Sequence, residues 1–213
     1  MTGAVLWDMD GTLVDSREYH WLAWRDTMAG EGMELSYERF LASFGLKNDR
    51  ILRGWLGDSL GDGEVQRIGD AKEEHYRRLS VEGGVVPLPG AAEWVRRLKQ
   101  DGWRQAVASS APRENVEVML RLLKLDAAFD AIAAAEDVTA GKPDPQIFLA
   151  AASRLGARPE QSIVVEDAAA GIQAAKAAGM RCIGVSDTTV LPADIFVRSL
   201  ADLPEDAFAR LLR

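Results

Sequence analysis

The sequence predicts an α/β protein built on a doubly wound parallel sheet, with a small all-helical domain inserted after the first strand. From residue 88 onward, short apolar segments alternate with amphipathic segments of about ten to fifteen residues, the pattern of parallel strands joined by crossover helices. Residues 16–84 contain no strand-like segment, and their apolar residues recur at helical spacing. We therefore expect residues 1–15 and 85–213 to form the core and residues 16–84 to form a helical insert.

The elements of the core follow one another in a regular order. Ala4–Trp7 is an apolar run typical of a buried first strand. Pro89 and Gly102 bracket the first helix of the core and Pro112 begins the next, because proline favours a helix start and glycine a helix end. Further strands are predicted in WRQAVASS, AAFDAIAAA, SIVV, RCIGV and Ile195–Val197, and further helices around Ile147–Leu155 and in the alanine-rich segment before Gly179.

Three helices account for the insert. Residues spaced three and four apart line one face of each predicted helix. We expect hinges at the two ends of the insert, near Ser16 and Gly83–Gly84. The residues that mark the helices are Trp21, Trp24 and Met28 in the first, Ile51, Leu52, Trp55 and Leu56 in the second, and Val65, Ile68, His75, Tyr76 and Leu79 in the third.

Charge and composition exclude several kinds of partner. The chain has 213 residues, 47% of them hydrophobic, and a net charge of −8, so nucleic acid and anionic membranes are not expected partners. Cys182 is the only cysteine and the chain has two histidines, which excludes an internal disulfide and a Cys/His zinc site. No signal sequence opens the chain, and no apolar run approaches the roughly 20 residues of a membrane helix. We expect a cytoplasmic monomer.

The first strand ends in two aspartates, Asp8 and Asp10, that are separated only by Met9. Side chains at positions i and i+2 of a strand share a face, so the two carboxylates would be crowded together. Such like charges repel unless a cation or a shared proton relieves them. Taken alone, the motif could also be an Asp-Gly turn that closes the strand.

Polar side chains follow four of the predicted strands. Ligands of a doubly wound sheet bind at the carboxyl ends of its strands, so these side chains are expected to converge on one crevice. Caps and turns explain one such ending far more easily than four together. The groups are Asp8 and Asp10, Ser109–Ser110, Lys142, and Glu166–Asp167.

The segments DMDGTLVD, VASS, GKPDP and VVEDAAAGIQAAKAAGM, in this order and spacing, resemble the four motifs of the haloacid dehalogenase superfamily of phosphotransferases. The match covers essentially the whole chain. The insert is similar to the cap of the branch that contains β-phosphoglucomutase and small sugar-phosphate phosphatases, and EYHWLAW resembles the mutase. The resemblance implies a Rossmann-like core and a Mg²⁺-dependent phosphatase that hydrolyses a small sugar or polyol phosphate, with β-phosphoglucomutase as the alternative.

The expected chemistry needs a nucleophile, a proton shuttle and neutralisation of the phosphoryl charge. Asp8 is expected to attack phosphorus and form an aspartyl-phosphate, while Asp10 protonates the leaving oxygen and later deprotonates the attacking water. The resemblance implies Mg²⁺ ligands from Asp8, the Asp10 carbonyl and Asp167, with Glu166 acting through a water. The expected phosphate-binding groups are Gly11, Thr12, Ser109, Ser110 and Lys142.

Substrate choice in this branch belongs to the cap. Lys72 and His20 match cap residues of the mutase, although the pattern alone also allows a snorkelling lysine and a structural histidine. The mutase holds its second phosphate with an arginine of the cap loop, where this chain has Asn48, so we expect hydrolysis rather than mutase activity. The remaining expected cap residues are Trp24 and, in the specificity loop, Gly45, Leu46 and Lys47, with Arg50 beside them.

Three rival functions remain open on the sequence alone. A dehalogenase of the same fold acts at carbon and does not need Asp10. A phosphonatase needs a Schiff-base lysine in the cap, for which Lys72 is the candidate. A non-catalytic binding module predicts a degraded motif, and none of the four motifs is degraded.

Overall fold

The computed structural model of the chain describes residues 3–213. The chain divides into two compact units. The first, called the core unit here, consists of the residues up to Asp15 together with Val86–Arg213, and the second, the helical unit, is Ser16–Val85. In the part of the chain that the structure describes, no helix has both the length and the apolar character needed to cross a bilayer.

A six-stranded sheet forms the centre of the core unit. All neighbouring strands are parallel, in the order β3-β2-β1-β4-β5-β6. The first strand therefore lies in the middle, and the strand order reverses beside it, between β1 and β4. The predicted doubly wound parallel sheet is confirmed. The strands are β1 (Ala4–Trp7), β2 (Arg104–Ala108), β3 (Ala131–Ala133), β4 (Ser162–Glu166), β5 (Arg181–Val185) and β6 (Ile195–Val197).

Nine α-helices are present among the described residues. They are α1 (Arg17–Gly30), α2 (Tyr37–Leu41), α3 (Asn48–Leu56) and α4 (Asp62–Gly83) in the helical unit, and α5 (Ala91–Gln100), α6 (Arg113–Leu123), α7 (Gln146–Arg154), α8 (Ala169–Ala177) and α9 (Ala207–Leu211) in the core unit. The three predicted helices of the insert are α1, α3 and α4. Two five-residue helices, α2 and α9, were not predicted, because one turn of helix is too short to show a periodic pattern.

One predicted helix start is wrong. Pro89 was expected to begin α5, but the helix begins two residues later, at Ala91. The backbone N–H of Ala91 donates to the carbonyl of Leu88 at 3.0 Å, so Pro89 lies in a tight turn before the helix. Proline suits the second position of such a turn as well as the first turn of a helix.

The core unit buries both faces of its sheet. Leu6 and Trp7 are neighbours on β1 and point to opposite faces. Leu6 packs in the cluster that contains Phe148 of α7 and Ile172 of α8, whereas the ring of Trp7 lies 6.1 Å from the ring of Phe208 on α9. Because helices cover both faces, the strand ends are where polar side chains can meet a ligand.

The helical unit has its own apolar core, built mainly from residues of α1, α3 and α4. Its buried members are joined by half-buried aromatic residues, and the rings of Trp24 and Trp55 meet edge to face at 5.0 Å. Burial of this cluster is what holds a unit without strands together. The buried members are Trp24, Met28, Leu35, Phe40, Ile51, Leu52 and Ile68.

Candidate active site

The acidic residues of the first and fourth motifs lie at the same edge of the sheet. In the pairing of β1 with β4, Trp7 is beside Val165, so Asp8 follows one strand level with Glu166, the last residue of the other. The backbone N–H of Asp8 donates to the carbonyl of Val165 at 3.0 Å, which extends the strand pairing to the site itself. This edge, between β1 and β4, is where the strand order reverses and where sheets of this kind bind ligands.

Lys142 joins the two strands electrostatically. Its ammonium nitrogen Nζ lies 2.5 Å from Oδ1 of Asp8 and 2.6 Å from Oε2 of Glu166. Lys142 and Asp8 are each only 7% exposed and Glu166 is 1% exposed, so these are buried charge-assisted hydrogen bonds rather than surface ion pairs. Lys142 is therefore not the solvated side chain that is usual for a lysine in a loop.

The site contains more negative than positive charge. Carboxylate oxygens of Asp8, Glu166 and Asp167 all lie within 4.8 Å of one another. Burial and the neighbouring Glu166 carboxylate raise the pKa of Asp8 to about 7, outweighing the opposite effect of Lys142. Burial and the carboxylates of Glu166 and Asp8 also raise the pKa of Asp167 well above its ordinary value. One ammonium therefore does not neutralise the cluster, and three hard oxygen donors in this space fit a small divalent cation.

The pKa of Lys142 reflects the same excess of negative charge in the site. Burial alone would lower the pKa of its ammonium, but the carboxylates of Asp8 and Glu166 raise that pKa above its ordinary value. The side chain therefore remains a cation at neutral pH and holds the two strand ends at one distance.

Two glycines allow the carboxylates to come this close. A Cβ atom on Gly11 would lie 2.1 Å from Oδ2 of Asp167, and the φ of Gly11 is +85°. A Cβ atom on Gly171 of α8 would lie 2.0 Å from Oε2 of Glu166. Sequence reasoning assigned no role to Gly171, although an isolated glycine inside an alanine-rich helix is a signal of close packing.

The rest of the first motif forms a turn that follows Asp8 in the chain. The N–H of Gly11 donates to the carbonyl of Val14 at 2.9 Å. Asp10 is partly exposed and its carboxylate is not part of the acidic cluster. The hydroxyl of Thr12 is fully buried and has no hydrogen-bond partner among residues 3–213. A buried hydroxyl without a protein partner is unusual, and it occurs here next to the acidic cluster.

Ser109 and Ser110 follow β2 directly. Ser109 is 1% exposed, its N–H donates to the carbonyl of Ala133, and its Oγ accepts from the N–H of Ala111 at 3.1 Å. These contacts fix the direction of the side chain while the hydroxyl hydrogen can still be donated. The structure thus brings the residues predicted from all four motifs to the carboxyl edge of one sheet.

In the helical unit, two of the predicted residues, His20 and Trp24, lie against Lys72. Its Nζ lies 2.9 Å from Nδ1 of His20 and 5.1 Å from the ring centroid of Trp24. Lys72 is 2% exposed, so a snorkelling lysine at the edge of an apolar stripe is wrong. Nζ also donates to Oε1 of Glu73 at 2.9 Å. Sequence reasoning missed this buried carboxylate because a glutamate on a helix is normally exposed.

The predicted specificity loop is brought only in part to this cluster. Asn48 begins α3 and its amide nitrogen donates to Oε1 of Glu73 at 2.7 Å. Lys47 is the residue before that helix and is half-buried, whereas Gly45 and Leu46 are exposed. Asn48 is therefore the member of the loop that is tied to Lys72 through Glu73.

Comparisons with known proteins give a family match and similar solved structures. The family model of the haloacid dehalogenase-like hydrolases matches residues 2–179. A crystal structure of CbbY from Rhodobacter sphaeroides in complex with xylulose 1,5-bisphosphate matches with a TM-score of 0.86 and 31% identity, over 95% of this chain and 96% of that one. The protein CbbY of Cereibacter sphaeroides is 37% identical over 86% of this chain and 84% of its own length.

Relatives with named activities are similar over most of the chain. β-Phosphoglucomutase of Bacillus subtilis is 33% identical over 94% of this chain and 91% of its own length. Hexitol phosphatase B of Escherichia coli is 33% identical over 94% of this chain and 93% of its own length. The predicted family and enzyme class are confirmed, with phosphatases and a phosphomutase both among the relatives. The chain belongs to the haloacid dehalogenase-like hydrolases.

Proposed function

We propose that the chain is a Mg²⁺-dependent phosphatase that hydrolyses a small sugar or polyol monophosphate through an aspartyl-phosphate on Asp8. The observation that carries the proposal is the buried cluster in which Lys142 holds Asp8 and Glu166 beside Asp167. A nucleophilic carboxylate, a fixed cation and further acidic ligands are what transfer of a dianionic phosphoryl group requires.

The reaction has two balanced steps. In the first, a carboxylate oxygen of Asp8 forms a bond to phosphorus, the bond from phosphorus to the ester oxygen breaks, and Asp10 gives a proton to the leaving oxygen. In the second, Asp10 takes a proton from water, and the water oxygen attacks phosphorus. Inorganic phosphate then leaves, and the carboxylate of Asp8 is restored.

The remaining groups hold the phosphoryl oxygens. The Ser109 hydroxyl, the Ser110 backbone N–H and the Lys142 ammonium donate to them, and Gly11 lets the backbone approach closely. Thr12 offers a buried hydroxyl at the same turn. These donors and one ammonium do not outweigh the acidic cluster in a chain whose net charge is −8, so binding of an anion here also needs the positive charge of a metal ion.

The donor set fits Mg²⁺. The carboxylates of Asp8 and Asp167 and the backbone carbonyl of Asp10 would hold the ion, which would supply positive charge to the transferring phosphoryl group. Both oxygens of Glu166 already accept hydrogen bonds, from Lys142 at 2.6 Å and from the N–H of Ala168 at 3.0 Å. Glu166 is therefore suited to act through a water rather than as a direct ligand.

Hydrolysis is favoured over mutase activity by Asn48. A phosphomutase must hold a bisphosphate in two orientations and needs a cationic group for the second phosphate. Asn48 is neutral and its amide is engaged by the Glu73 carboxylate. A charge-assisted contact contributes about 1.5–3 kcal/mol, or roughly a ten- to 150-fold change in affinity. Without a cationic contact to the second phosphate, the bisphosphate is held less tightly, and water competes as the phosphoryl acceptor.

A phosphate-release screen over sugar and polyol monophosphates with Mg²⁺ tests the proposal. The same enzyme is then given β-glucose 1-phosphate with a trace of the bisphosphate, and glucose 6-phosphate and inorganic phosphate are followed together. We expect inorganic phosphate as the main product. Much faster formation of glucose 6-phosphate would identify a mutase, with Lys47 or Arg50 then serving as the second phosphate site. We propose further that the enzyme acts as a cytoplasmic monomer on a small phosphorylated metabolite.

A further inference from the structure

The helical unit contains a buried set of polar side chains that the proposed reaction does not use. Lys72 and Glu73 of α4 are 2% and 5% exposed, and His20 of α1 is 8% exposed. Charged side chains are almost never buried this deeply unless they are paired. Their pairing therefore determines what charge this unit can offer to a ligand.

The contact between Lys72 and His20 orients the imidazole. An ammonium group has three donors and no acceptor. Nζ of Lys72 lies 2.9 Å from Nδ1 of His20, so Nδ1 is placed to accept from the ammonium. His20 therefore adds a polar ring to the cluster beside Lys72.

Glu73 supplies the negative charge that balances Lys72. Its Oε1 accepts from Nζ of Lys72 at 2.9 Å and from the amide of Asn48 at 2.7 Å. Burial alone would raise the pKa of Glu73, but Lys72, His20 and Asn48 lower that pKa below its ordinary value. The carboxylate is thus charged at neutral pH, and together the Lys72 and Glu73 side chains carry no net charge.

This balance has a consequence for the ligand. A phosphate brought to Lys72 would also meet the Glu73 carboxylate within a few ångströms, in surroundings where charges are poorly screened. A hydroxyl group meets no such repulsion, because it can accept from one polar group and donate to the other. Specificity of this kind comes from a repulsive group as much as from an attractive one.

We propose that Glu73, by cancelling the charge of Lys72, makes the helical unit select substrates whose end remote from the transferred phosphate is hydroxylated and uncharged. The proposal rests on the proposed function in one respect, namely that the helical unit contacts that end of the substrate. It assigns Glu73 as a specificity-determining residue and Asn48 as the residue that orients it.

The test compares three variants on two substrates. Glu73→Gln removes one negative charge at nearly constant shape, and Lys72→Gln removes the positive charge. Glu74→Gln is the matched control, because Glu74 is the next residue of the same helix, carries the same charge and is exposed. For each protein, kcat/KM is measured on a hexitol monophosphate and on a hexose bisphosphate, and folding is checked by thermal denaturation.

We expect Glu73→Gln to raise the ratio of bisphosphate to monophosphate kcat/KM by about tenfold or more, the effect of one charge-assisted contact. Lys72→Gln should lower the same ratio, and Glu74→Gln should leave it unchanged. If the pair has a purely structural role, Glu73→Gln and Lys72→Gln should shift the ratio in the same direction. Such a common shift would overturn the proposal. So would an unchanged ratio in Glu73→Gln, or a shift in Glu74→Gln as large as the one in Glu73→Gln.

Failure of the proposed function would look different. If the unmodified enzyme hydrolyses neither substrate, the phosphatase assignment fails, and calorimetric binding of the same two compounds then replaces turnover. Tighter bisphosphate binding by Glu73→Gln than by the parent still supports the role of Glu73, and equal binding contradicts it. If Glu73→Gln does not fold, Glu73→Ala, which removes the same charge with a shorter side chain, takes its place: a raised ratio supports the proposal and an unchanged ratio refutes it.

Discussion

Two buried lysines, one in each unit, differ in how their charge is balanced. Lys142 contacts two carboxylates, at 2.5 and 2.6 Å, with Asp167 beside them. Lys72 contacts one carboxylate and one imidazole, both at 2.9 Å. The first cluster keeps an excess of negative charge, whereas the second is balanced by the protein itself. The comparison teaches that the net charge of a buried cluster, rather than the presence of a buried lysine, indicates whether a cation must join it.

The largest effect is expected at the nucleophile of the unbalanced cluster. Replacing Asp8 by Asn should abolish phosphate release while the fold persists, because the shape is kept and the nucleophilic oxygen is lost. Steady-state kinetics and circular dichroism on the purified variant measure the two properties. A folded variant that retains most of its activity would remove Asp8 from the reaction, and the two lysine clusters could then no longer be divided into catalytic and binding roles.

The next effect concerns the metal that the charge excess implies. Asp167→Ala should raise the Mg²⁺ concentration for half-maximal activity by about a hundredfold or more, since mutation of even outer partners of metal ligands costs about ten- to a hundredfold. Chelation should abolish the activity of the parent enzyme, and added Mg²⁺ should restore it. The matched control is Asp187→Ala, at an exposed aspartate after β5. If both variants titrate like the parent enzyme, Asp167 does not hold the ion.

A smaller and selective effect is expected at the balanced cluster. Lys72→Ala should reduce kcat/KM about tenfold for a sugar or polyol phosphate and much less for p-nitrophenyl phosphate, whose leaving group lacks hydroxyls. The quantity to report is the ratio of the two losses. Equal losses on both substrates would mean that Lys72 supports the fold or the phosphoryl chemistry, and the contrast with Lys142 would disappear.

A third charged cluster, around Asp137, lies closer to solvent than the two lysine clusters. Asp137 accepts from Arg113 at 2.6 Å and from both terminal guanidinium nitrogens of Arg154 at 2.6 Å. Its side chain is 15% exposed, and hydrogen bonds from Arg154 hold its pKa well below the ordinary value. Because both arginine side chains are partly exposed, water weakens these interactions relative to those of the buried lysines.

The smallest effect is therefore expected at Asp137. Because the folded-state pKa is depressed, the stabilisation is present above the unfolded-state pKa of about 3.9 and is lost as pH falls below it. Asp137→Asn should lower the free energy of unfolding at pH 7 by about 1–3 kcal/mol and reduce its acid dependence. Asp101→Asn is the control, since Asp101 and Arg97 form an exposed pair at 3.9 Å that should contribute little. Identical urea midpoints at pH 3 and 7 for parent and Asp137→Asn would refute the assignment.

The sequence alone determined the features that depend on neighbouring residues. Short apolar runs and helical spacing predicted six strands and the long helices, because these patterns reflect which parts of an element are buried. Polar residues after Ala4–Trp7 and after three further strands predicted the edge that carries the site, since the carboxyl ends of parallel strands lie together. Asp8, Lys142 and Asp167 could be named for this reason before any distance was known.

Only the tertiary structure decided the contacts between residues that are far apart in sequence. The position of β1 between β2 and β4, the burial of Lys142 and Lys72, and the contact of Asn48 with Glu73 across 25 residues have no local signature. A glutamate on a helix is normally exposed, so nothing in its neighbourhood marked Glu73 as different from Glu74. Burial and net charge are properties of a packed cluster, and packing is decided by all the elements at once.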